Sequence, residues 1–335
     1  MTIASPTRTF GLAVPSNASN EPLIHCPRCL AIVTEQSRSR DNQAEQLLCT
    51  SCLFQIVQRD GIWDALPLER AAHYAAFIAD YEKIRAAEGR GSRNPEFYLA
   101  LPDRDLSKRN QPQWNIRSRT YQCLASRVLA PMEQGGSTRL AVLDLGAGNC
   151  WLSYRLALRG HRPVAVDLLL NPFDGLGAAE HYQLRVPHLF PRYRAELDRL
   201  PFADRQFDIA IFNASFHYSE DYGRTIAEAL RCLRRPGKII IADTPWYSRQ
   251  QSGEAMLRER RTFFAAKYGF ASNALPSLEF LTDERLEVLQ ESFGLRWNFL
   301  DPDYGMQWRL RPLLAKLRRR REPSRFRIYV AEVTQ

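Results

Sequence analysis

The sequence of 335 residues predicts an α/β fold, built on a doubly wound and mostly parallel sheet, with a small metal-binding module before it. Three observations support this prediction. Residues 142–167 have the pattern of a strand, a glycine loop, a helix and a second strand; later apolar runs end in polar residues; and two close cysteine pairs lie near the N terminus.

The glycine loop follows an apolar run at residues 142–145 that contains Asp144 and leads into Gly146 and Gly148. Missing β-carbons at such a turn let a ligand approach the backbone. A helix is expected from Trp151 to Leu158, and a second strand over 163–167, ending in Asp167. Together these form one βαβ unit, which binds nucleotides at the carboxyl ends of its strands.

Two kinds of nucleotide unit share this pattern. A dinucleotide unit needs a third glycine, but Trp151 stands at that position. Asp167 follows the glycines by about twenty residues, the spacing at which an acid accepts hydrogen bonds from ribose hydroxyls. The simpler alternative is that Asp167 only caps the end of its strand.

Three further segments follow in a fixed order: Glu-Leu-Asp-Arg-Leu-Pro-Phe at 196–202, Gln-Phe-Asp-Ile-Ala-Ile-Phe-Asn at 206–213, and Leu-Arg-Arg-Pro-Gly-Lys-Ile-Ile-Ile at 233–241. With the glycine loop, they make residues 140–245 resemble the class I S-adenosylmethionine-dependent methyltransferases, particularly the type 11 group. The resemblance implies a Rossmann-like fold and S-adenosylmethionine as the cofactor. Cys150 departs from the pattern, because many relatives carry glycine there.

The resemblance also implies a set of cofactor contacts. Asp144 would position the methionine end, Gly146 and Gly148 would allow close approach, and Asp167 would hold the ribose. The adenine edge would meet Glu196, the backbone of Leu197 and Asp198, while Asn213 would be a further cofactor contact.

The acceptor pocket should be built from the loops after the fourth and fifth strands, residues 213–218 and 243–247, because ligands lie beyond the carboxyl ends of such strands. His217 has a pKa range that suits a general base, and Tyr218 or Tyr247 could orient an acceptor. Alternatively, His217 only packs against the cofactor.

Cys26, Cys29, Cys49 and Cys52 form two CxxC pairs with the spacing of a zinc ribbon. Four thiolates close the coordination shell, so a structural Zn²⁺ is expected. Four reduced cysteines without metal are the alternative. A ribbon of this kind resembles the small domain that precedes or partners some RNA and small-molecule methyltransferases.

The expected organisation has four parts: a disordered tail at 1–20, a zinc ribbon at 21–66, a helical lid or connector at 67–130, and a methyltransferase domain at 131–335 with a basic insertion at 301–325. Helices are expected from residue 68 to about 88 and over 117–129. The composition, 45% hydrophobic and 25% charged, suits a folded enzyme. An odd count of seven cysteines and no bilayer-length apolar run favour a cytoplasmic location without a membrane span.

The net charge of +9 is concentrated near the carboxyl terminus, where residues 301–335 hold nine Lys or Arg against four Asp or Glu. Two last strands, at 294–299 and 326–333, would flank a connector on the cofactor edge of the sheet. Trp308 could then stack on bases, and residues 318–321 could bind phosphate; a solvated basic helix over 310–321 is the alternative.

The sequence favours a small-molecule methyl acceptor, with RNA (rRNA or tRNA) second. A non-catalytic zinc-ribbon adaptor or nucleic-acid-binding protein is the competing class.

Overall fold

The computed structural model describes residues 22–33, 35–38, 45–136 and 139–334. The tail expected at residues 1–20 lies outside this range. The strands within it are β1 (Ile24–His25), β2 (Ile32–Val33), β3 (Glu35–Arg38), β4 (Glu45–Leu48), β5 (Gln55–Arg59), β6 (Ile62–Asp64), β7 (Ala141–Leu145), β8 (Arg162–Asp167), β9 (Arg192–Arg194), β10 (Phe207–Asn213), β11 (Leu233–Ala242), β12 (Trp297–Leu300) and β13 (Ile328–Val333).

The α-helices of the same ranges are α1 (Leu68–Ala87), α2 (Pro95–Leu99), α3 (Gln111–Leu124), α4 (Ala130–Gln134), α5 (Trp151–Leu158), α6 (Tyr222–Cys232), α7 (Gln250–Tyr268), α8 (Asp283–Phe293) and α9 (Met306–Leu317). A π-helical turn, Ala125–Leu129, joins α3 to α4. Short 3-10 helices occupy Leu176–Leu184 and Phe216–Tyr218.

The main sheet has β7 near its centre, with all five residues buried. From one side to the other, the strand order is β12-β13-β11-β10-β7-β8-β9. The strands from β11 to β9 are parallel, whereas β13 runs antiparallel to both β11 and β12. This confirms the predicted doubly wound, mostly parallel α/β fold and places the carboxyl ends of β7, β8, β10 and β11 along one edge.

The sheet continues beyond β9 into the N-terminal module. Strand β6 pairs in parallel with β9, and β5, β4 and β3 follow it in antiparallel order, giving eleven strands in the described sheet. Cys26, Cys49 and Trp63 share one hydrophobic core with Tyr193 and Phe202 of the main fold. The module is therefore continuous with the main sheet in both hydrogen bonding and packing.

The helix predictions agree with the structure to different degrees. Helix α1 closely matches the predicted span, and α5 matches it fully. Helix α3 begins at Gln111, six residues before the predicted start, because Pro112 suits the first helical turn. The basic helix predicted over 310–321 is shifted: α9 begins after Gly305 and ends at Leu317, just before Arg319 adopts a left-handed conformation (φ 49°).

A search of the described helices for a membrane-spanning segment found none with enough length and apolar character.

Candidate active site and metal centre

A cleft lies at the carboxyl edge of the main sheet. Its volume is about 840 Å³ including the open mouth. The residues that line it include seven predicted from the sequence: Asp144, Gly146, Gly148, Asp167, Leu197, Asn213 and Tyr218. They come from the ends of different strands, which the parallel sheet brings to one edge.

The glycine loop forms the floor of this cleft. Gly146 has φ +74°, and a β-carbon there would lie 2.2 Å from the Cβ of Ser215. Gly146 and Ala147 both donate backbone hydrogen bonds to the carbonyl oxygen of Val166, at 2.8 and 2.9 Å. A side chain at position 146 is thus excluded by both conformation and space, so glycine is needed for the loop to close against β8.

Cys150, the departure from the family pattern, occupies the last position before α5. Its backbone is left-handed, with φ 62° and ψ 21°, and its side chain is fully buried. Glycine adopts this conformation without the steric cost of a β-carbon. The backbone at position 150 therefore has the left-handed conformation that favours glycine. Cys150 adopts this conformation despite its β-carbon.

Asp144 is buried at the inner end of the cleft. Its Oδ2 atom accepts a 2.7 Å hydrogen bond from Ser153 Oγ on helix α5. Burial raises the pKa of Asp144 to about 7, and the neighbouring carboxylate of Asp167 adds to the rise, while the Ser153 hydrogen bond opposes it. A cationic group entering the cleft beside Asp144 would favour the ionised form.

Asp167 ends β8 and faces the same loop. Its two carboxylate oxygens accept backbone hydrogen bonds, Oδ2 from Gly148 at 2.7 Å and Oδ1 from Leu169 at 2.9 Å. Burial raises the pKa of Asp167, and these two donors oppose the rise. Each carboxylate oxygen can accept more than one hydrogen bond, so a diol at the cleft could still be held.

The two other adenine-edge candidates, Glu196 and Asp198, are not among the residues that line the cleft. Glu196 accepts hydrogen bonds at Oε2 from Arg70 Nε (2.8 Å) and from the Tyr74 hydroxyl (3.1 Å), both on α1. Burial raises the pKa of Asp198, and the nearby Glu196 contributes. Glu196 thus links α1 to the segment after β9 through these hydrogen bonds. A contact of Glu196 or Asp198 with a cofactor stays a prediction.

Helix α1 covers the cleft with an aromatic surface. The rings of Phe77 and Tyr81 lie 5.8 and 5.7 Å from the ring of Tyr218, and all three line the cleft. Arg85, one turn after Tyr81, forms an ion pair with Asp174 at the opposite wall. Helix α1 therefore lines the cleft and is held by an ion pair near its carboxyl end, while the role of its segment as a lid or connector stays a prediction.

Arg117 brings an unpaired positive charge to the cleft. It lines the cleft from helix α3, with its guanidinium 4.8 Å from the ring centre of Trp114. Among the described residues it makes no ion pair within 4.0 Å. Burial lowers the pKa of Arg117 to about 10, and the like charges of Arg90 and Arg85 add to this shift. The side chain is still cationic at neutral pH, so it can attract an anion into the cleft.

The loop after β11 carries a buried acid near Arg117. Asp243 accepts a 2.6 Å hydrogen bond at Oδ1 from Thr120 of α3, and the Thr120 hydroxyl also lies 2.8 Å from the hydroxyl of Tyr304. Burial raises the pKa of Asp243. Through Tyr304, the connector after β12 contacts the helix that carries Arg117.

The predicted catalytic pair is divided by the structure. Tyr218 lines the cleft, whereas His217 is not among the lining residues, and its backbone oxygen accepts a 2.8 Å hydrogen bond from Glu279 N. Burial lowers the pKa of His217 to about 4, while the carboxylate of Glu279 partly opposes the shift. His217 is neutral at pH 7, and because it does not line the cleft, the structure supports neither a general base nor a side chain packed against a cofactor there.

The four cysteines lie together at the tips of two similar turns. In each turn the first cysteine donates its N–H to the carbonyl five residues later, at 2.8 Å from Cys26 and 2.9 Å from Cys49. Leu30 and Leu53, the fourth residues after those cysteines, have left-handed φ values of 62° and 61° and close each turn with a 2.8 Å hydrogen bond.

The sulfur atoms of this cluster fit a tetrahedral metal. All four Sγ atoms lie within 4.8 Å of one another, and two pairs, Cys26–Cys52 and Cys29–Cys49, are 3.5 Å apart. A tetrahedral zinc with Zn–S bonds of about 2.3 Å separates its sulfurs by about 3.8 Å. The four sulfurs therefore form a cluster that could hold one metal ion.

The cleft residues that sequence reasoning missed include four on helices: Phe77, Tyr81, Arg85 and Arg117. They lie on helices that the sequence did predict, but no local pattern distinguishes them from other residues of those helices. The spacing of Phe77, Tyr81 and Arg85 at intervals of four indicates one helix face, which is a signal for a buried face and not for a ligand site.

Comparison with known proteins gives a family match over the centre of the chain. Residues 143–241 match the model of a family described as a methyltransferase domain. One curated relative is a malonyl-[acyl-carrier protein] O-methyltransferase of Buchnera aphidicola, 24% identical over 108 residues. Another, 37% identical over 81 residues, is the uncharacterized protein YafE of Escherichia coli. These alignments cover 31% and 24% of this chain, and 39% and 38% of the relatives, so the chain spans under two fifths of the curated proteins it matches.

Similar solved structures include a 1,6-didemethyltoxoflavin-N1-methyltransferase of Burkholderia thailandensis, with 17% identity and a TM-score of 0.44, over 90% of this chain and all of that one. A possible histamine N-methyltransferase of Thermotoga maritima is 14% identical with a TM-score of 0.41, over 78% of this chain and 99% of that one. The family match falls on the part of the chain that carries the glycine loop and strands β7 to β11, so these residues are similar to a methyltransferase domain.

Proposed function

We propose that this protein binds S-adenosylmethionine in the cleft and transfers its methyl group to a small-molecule acceptor. One observation carries the proposal: the glycine loop and the two acids Asp144 and Asp167 line a cleft that helix α1 covers. The floor has the features of a nucleoside site, and the cover limits what else can enter.

The charges of the cleft complement the charges of this cofactor. Asp167 would accept from the ribose hydroxyls, and Asp144 would face the ammonium group of the methionine end. Arg117 is the cation available for the methionine carboxylate, because it lines the cleft without an acidic partner of its own among the described residues. Leu197 would pack beside the adenine, with Asn213 as a further contact.

The chemistry places modest demands on the protein. S-adenosylmethionine supplies a methyl group on a sulfonium, which an acceptor N, O or C attacks in line, so that the C–S bond breaks as the new bond forms. The side chains of the cleft need to align the acceptor and exclude water. Tyr218, which lies between the glycine loop and the aromatic rings of α1, is the best placed residue to orient the acceptor.

The shape of the site supports a small acceptor over RNA. The rings of Phe77, Tyr81 and Tyr218 all line the cleft, and their centroids lie within 6 Å of one another. The sequence suggested that Trp308 could stack on bases. In the structure its ring is instead stacked on that of Phe326, with a centroid distance of 5.5 Å. A cleft lined by three neighbouring aromatic rings fits a compact acceptor, and the ring offered for base stacking is already occupied by Phe326.

We also propose that Cys26, Cys29, Cys49 and Cys52 hold one structural Zn²⁺. The exposed Cys29 and the partly exposed Cys52 face the two buried cysteines, so the four thiolates surround one point. Around this centre, residues 21–66 would act as a scaffold that extends the sheet. The remaining proposed divisions are the covering segment at 67–130 and the methyltransferase domain at 131–335.

The experiment has two stages, so that its two possible failures can be distinguished. Calorimetry first measures binding of S-adenosylmethionine and its demethylated product to the full chain. Methyl-labelled S-adenosylmethionine is then incubated with the protein and with either the small-molecule or the RNA fraction of a cell extract.

We expect binding in the first stage and label in the small-molecule fraction in the second. Absence of cofactor binding would overturn the methyltransferase proposal and favour an adaptor that keeps the fold. Label in RNA alone would overturn only the acceptor class.

A further inference from the structure

Helix α9 turns its aliphatic side chains toward solvent. The exposed residues, with the exposed fraction of each, are Met306 (67%), Leu310 (44%), Leu313 (55%), Leu314 (43%) and Leu317 (72%). At about 100° per residue, these five positions fall within an arc of about 100° on one side of the helix. They form a continuous apolar stripe that stays 43% to 72% exposed in the described chain.

The opposite side of α9 already has its packing partners. Trp308 stacks on Phe326 with a centroid distance of 5.5 Å, and its ring lies 4.9 Å from that of Tyr304. The guanidinium of Arg311 lies 3.7 Å from the centre of the Trp308 ring. The helix is thus held in place by its aromatic face, and the fold does not need the leucines for its own packing.

Positive charge borders the stripe. Arg309 and Lys316 lie on its flank, and Arg318, Arg319 and Arg320 follow it directly. Arg309 pairs with Asp303 at 3.2 Å, but the other four have no acidic partner among the ion pairs of the described residues. Arg321 differs, because it bonds Glu259 at 2.8 Å.

We propose that the exposed face of α9, together with residues 318–320, is a docking surface for the anionic face of a lipid bilayer. A short helix with an apolar stripe and basic residues beside it lies in the plane of a membrane interface. The leucines would enter the boundary between headgroups and acyl chains, and the four unpaired cations would meet lipid phosphates. This inference does not depend on the methyl-transfer proposal.

Two other occupants fit the surface less well. Nucleic acid would contact the cations but would leave five aliphatic side chains in water. It would also find no free ring on α9 to stack on, because Trp308 is stacked on Phe326. A second copy on a twofold axis would bring the same patch, with its unpaired cations at 316 and 318–320, against itself. A bilayer with anionic lipids satisfies both the apolar and the charged residues.

The test is flotation of the full chain with vesicles. One set contains phosphatidylcholine alone, and the other is an equimolar mixture of phosphatidylcholine and phosphatidylglycerol. We expect binding to the mixed vesicles and little to the neutral ones. The double variant Leu313→Gln, Leu317→Gln should lose about tenfold or more in partition, since two inserted side chains are removed from the apolar interface. Neutralising Lys316 and residues 318–320 to Gln should have a similar effect.

Matched controls place equal changes on other exposed positions. Leu68→Gln with Leu184→Gln removes two exposed leucines outside α9, and replacing Arg127, Arg235, Arg258 and Arg261 by Gln removes four exposed charges. Both controls should bind the mixed vesicles as the parent does, and circular dichroism should show all variants folded. No binding by the parent, or full binding by the leucine variant, would overturn the proposal. So would a parent dimer that the leucine variant abolishes, or tighter binding to single-stranded RNA than to the mixed vesicles.

Discussion

The Oδ2 atom of Asp167 accepts a 2.7 Å hydrogen bond from the backbone N–H of Gly148, so the end of β8 holds the loop that follows β7. The second oxygen, Oδ1, accepts from Leu169 N at 2.9 Å. The acid at the end of β8 therefore has a structural task before any ligand arrives. A variant at this position has to separate that task from ligand binding.

Replacing Asp167 by Asn should weaken S-adenosylmethionine binding. Because the amide nitrogen cannot accept, one of the two backbone hydrogen bonds is lost as well, so urea unfolding is measured beside affinity to separate the two effects. The amide keeps one acceptor oxygen but loses the charge, and hydrogen bonds to a charged group contribute about 1.5–3 kcal/mol, or roughly 10- to 100-fold in affinity. Calorimetry measures the change. Asp204→Asn, at an exposed carboxylate paired with Arg231 outside the cleft, is the control and should bind as the parent does. Unchanged affinity in a folded Asp167→Asn protein would remove Asp167 from the cofactor site.

The unliganded protein should lose stability through Asp144 as the pH rises from about 4 to about 7. Burial raises the pKa of Asp144 to about 7, against about 3.9 for an ordinary aspartate. The folded state therefore binds more protons than the unfolded state in this window, and the stabilising contribution is lost as the pH rises through the folded pKa. Asp144→Asn should remove this loss.

Urea unfolding of the parent and of Asp144→Asn at pH 5 and pH 8 tests this. The variant should gain in relative free energy of unfolding at pH 8 compared with pH 5. Cofactor affinity of the parent should rise from pH 6 to pH 8, because an ionised Asp144 attracts the ammonium group, and Asp144→Asn should flatten that rise. The same difference between the two proteins at both pH values would contradict the assignment.

Arg117→Gln should weaken cofactor binding by about 10- to 100-fold if its guanidinium meets the methionine carboxylate, because a charge-assisted hydrogen bond is lost. Arg119 is an exposed arginine two positions further along α3, so Arg119→Gln is the matched control and should be neutral. The comparison is made by calorimetry. A raised Michaelis constant for the acceptor with unchanged cofactor affinity would transfer Arg117 to the acceptor pocket.

The purified protein should contain one zinc ion per chain. Replacing Cys26 and Cys49 by Ser should abolish it, and the free energy of unfolding should fall for the whole protein, because both cysteines belong to the core that contains Tyr193 and Phe202. Elemental analysis and urea unfolding give the two results. Cys123→Ser lies outside the cluster and serves as the control. Zinc retained by the double variant would disprove the four-cysteine cage.

His217→Asn should change methyl transfer by less than about threefold, because its pKa of about 4 and its place outside the cleft lining do not suit a general base near pH 7. Tyr218→Phe should reduce kcat/KM more, since Tyr218 lines the cleft. Rates are measured from pH 5 to pH 9 with the acceptor identified by labelling. A hundredfold or greater loss of the methyl-transfer rate in His217→Asn, with the high-pH limb of the pH–rate profile unchanged, would instead support His217 as the general base.

The features predictable from the sequence are those set by neighbours along the chain. Gly146 and Gly148 mark a turn that side chains would block, Asp167 ends its strand at a fixed distance from them, and the CxxC pairs close two turns whose hydrogen bonds are local. A parallel sheet then brings the strand ends to one edge. The floor of the cleft and the cysteine cluster could therefore be predicted without coordinates.

Other features of the site depend on which helices and strands pack against each other in the folded protein. Arg117 is a cleft residue only because α3 contacts the loop after β11, where Thr120 bonds Asp243, and Glu196 bonds Arg70 because α1 lies beside the segment that follows β9. The leucines of α9 follow a helical period that usually indicates a buried face, yet Trp308 and Arg311 face inward. Periodicity determined that α9 has two faces. Only the stacking of Trp308 on Phe326 decided which of them packs against the rest of the protein, because packing depends on partners distant in the chain.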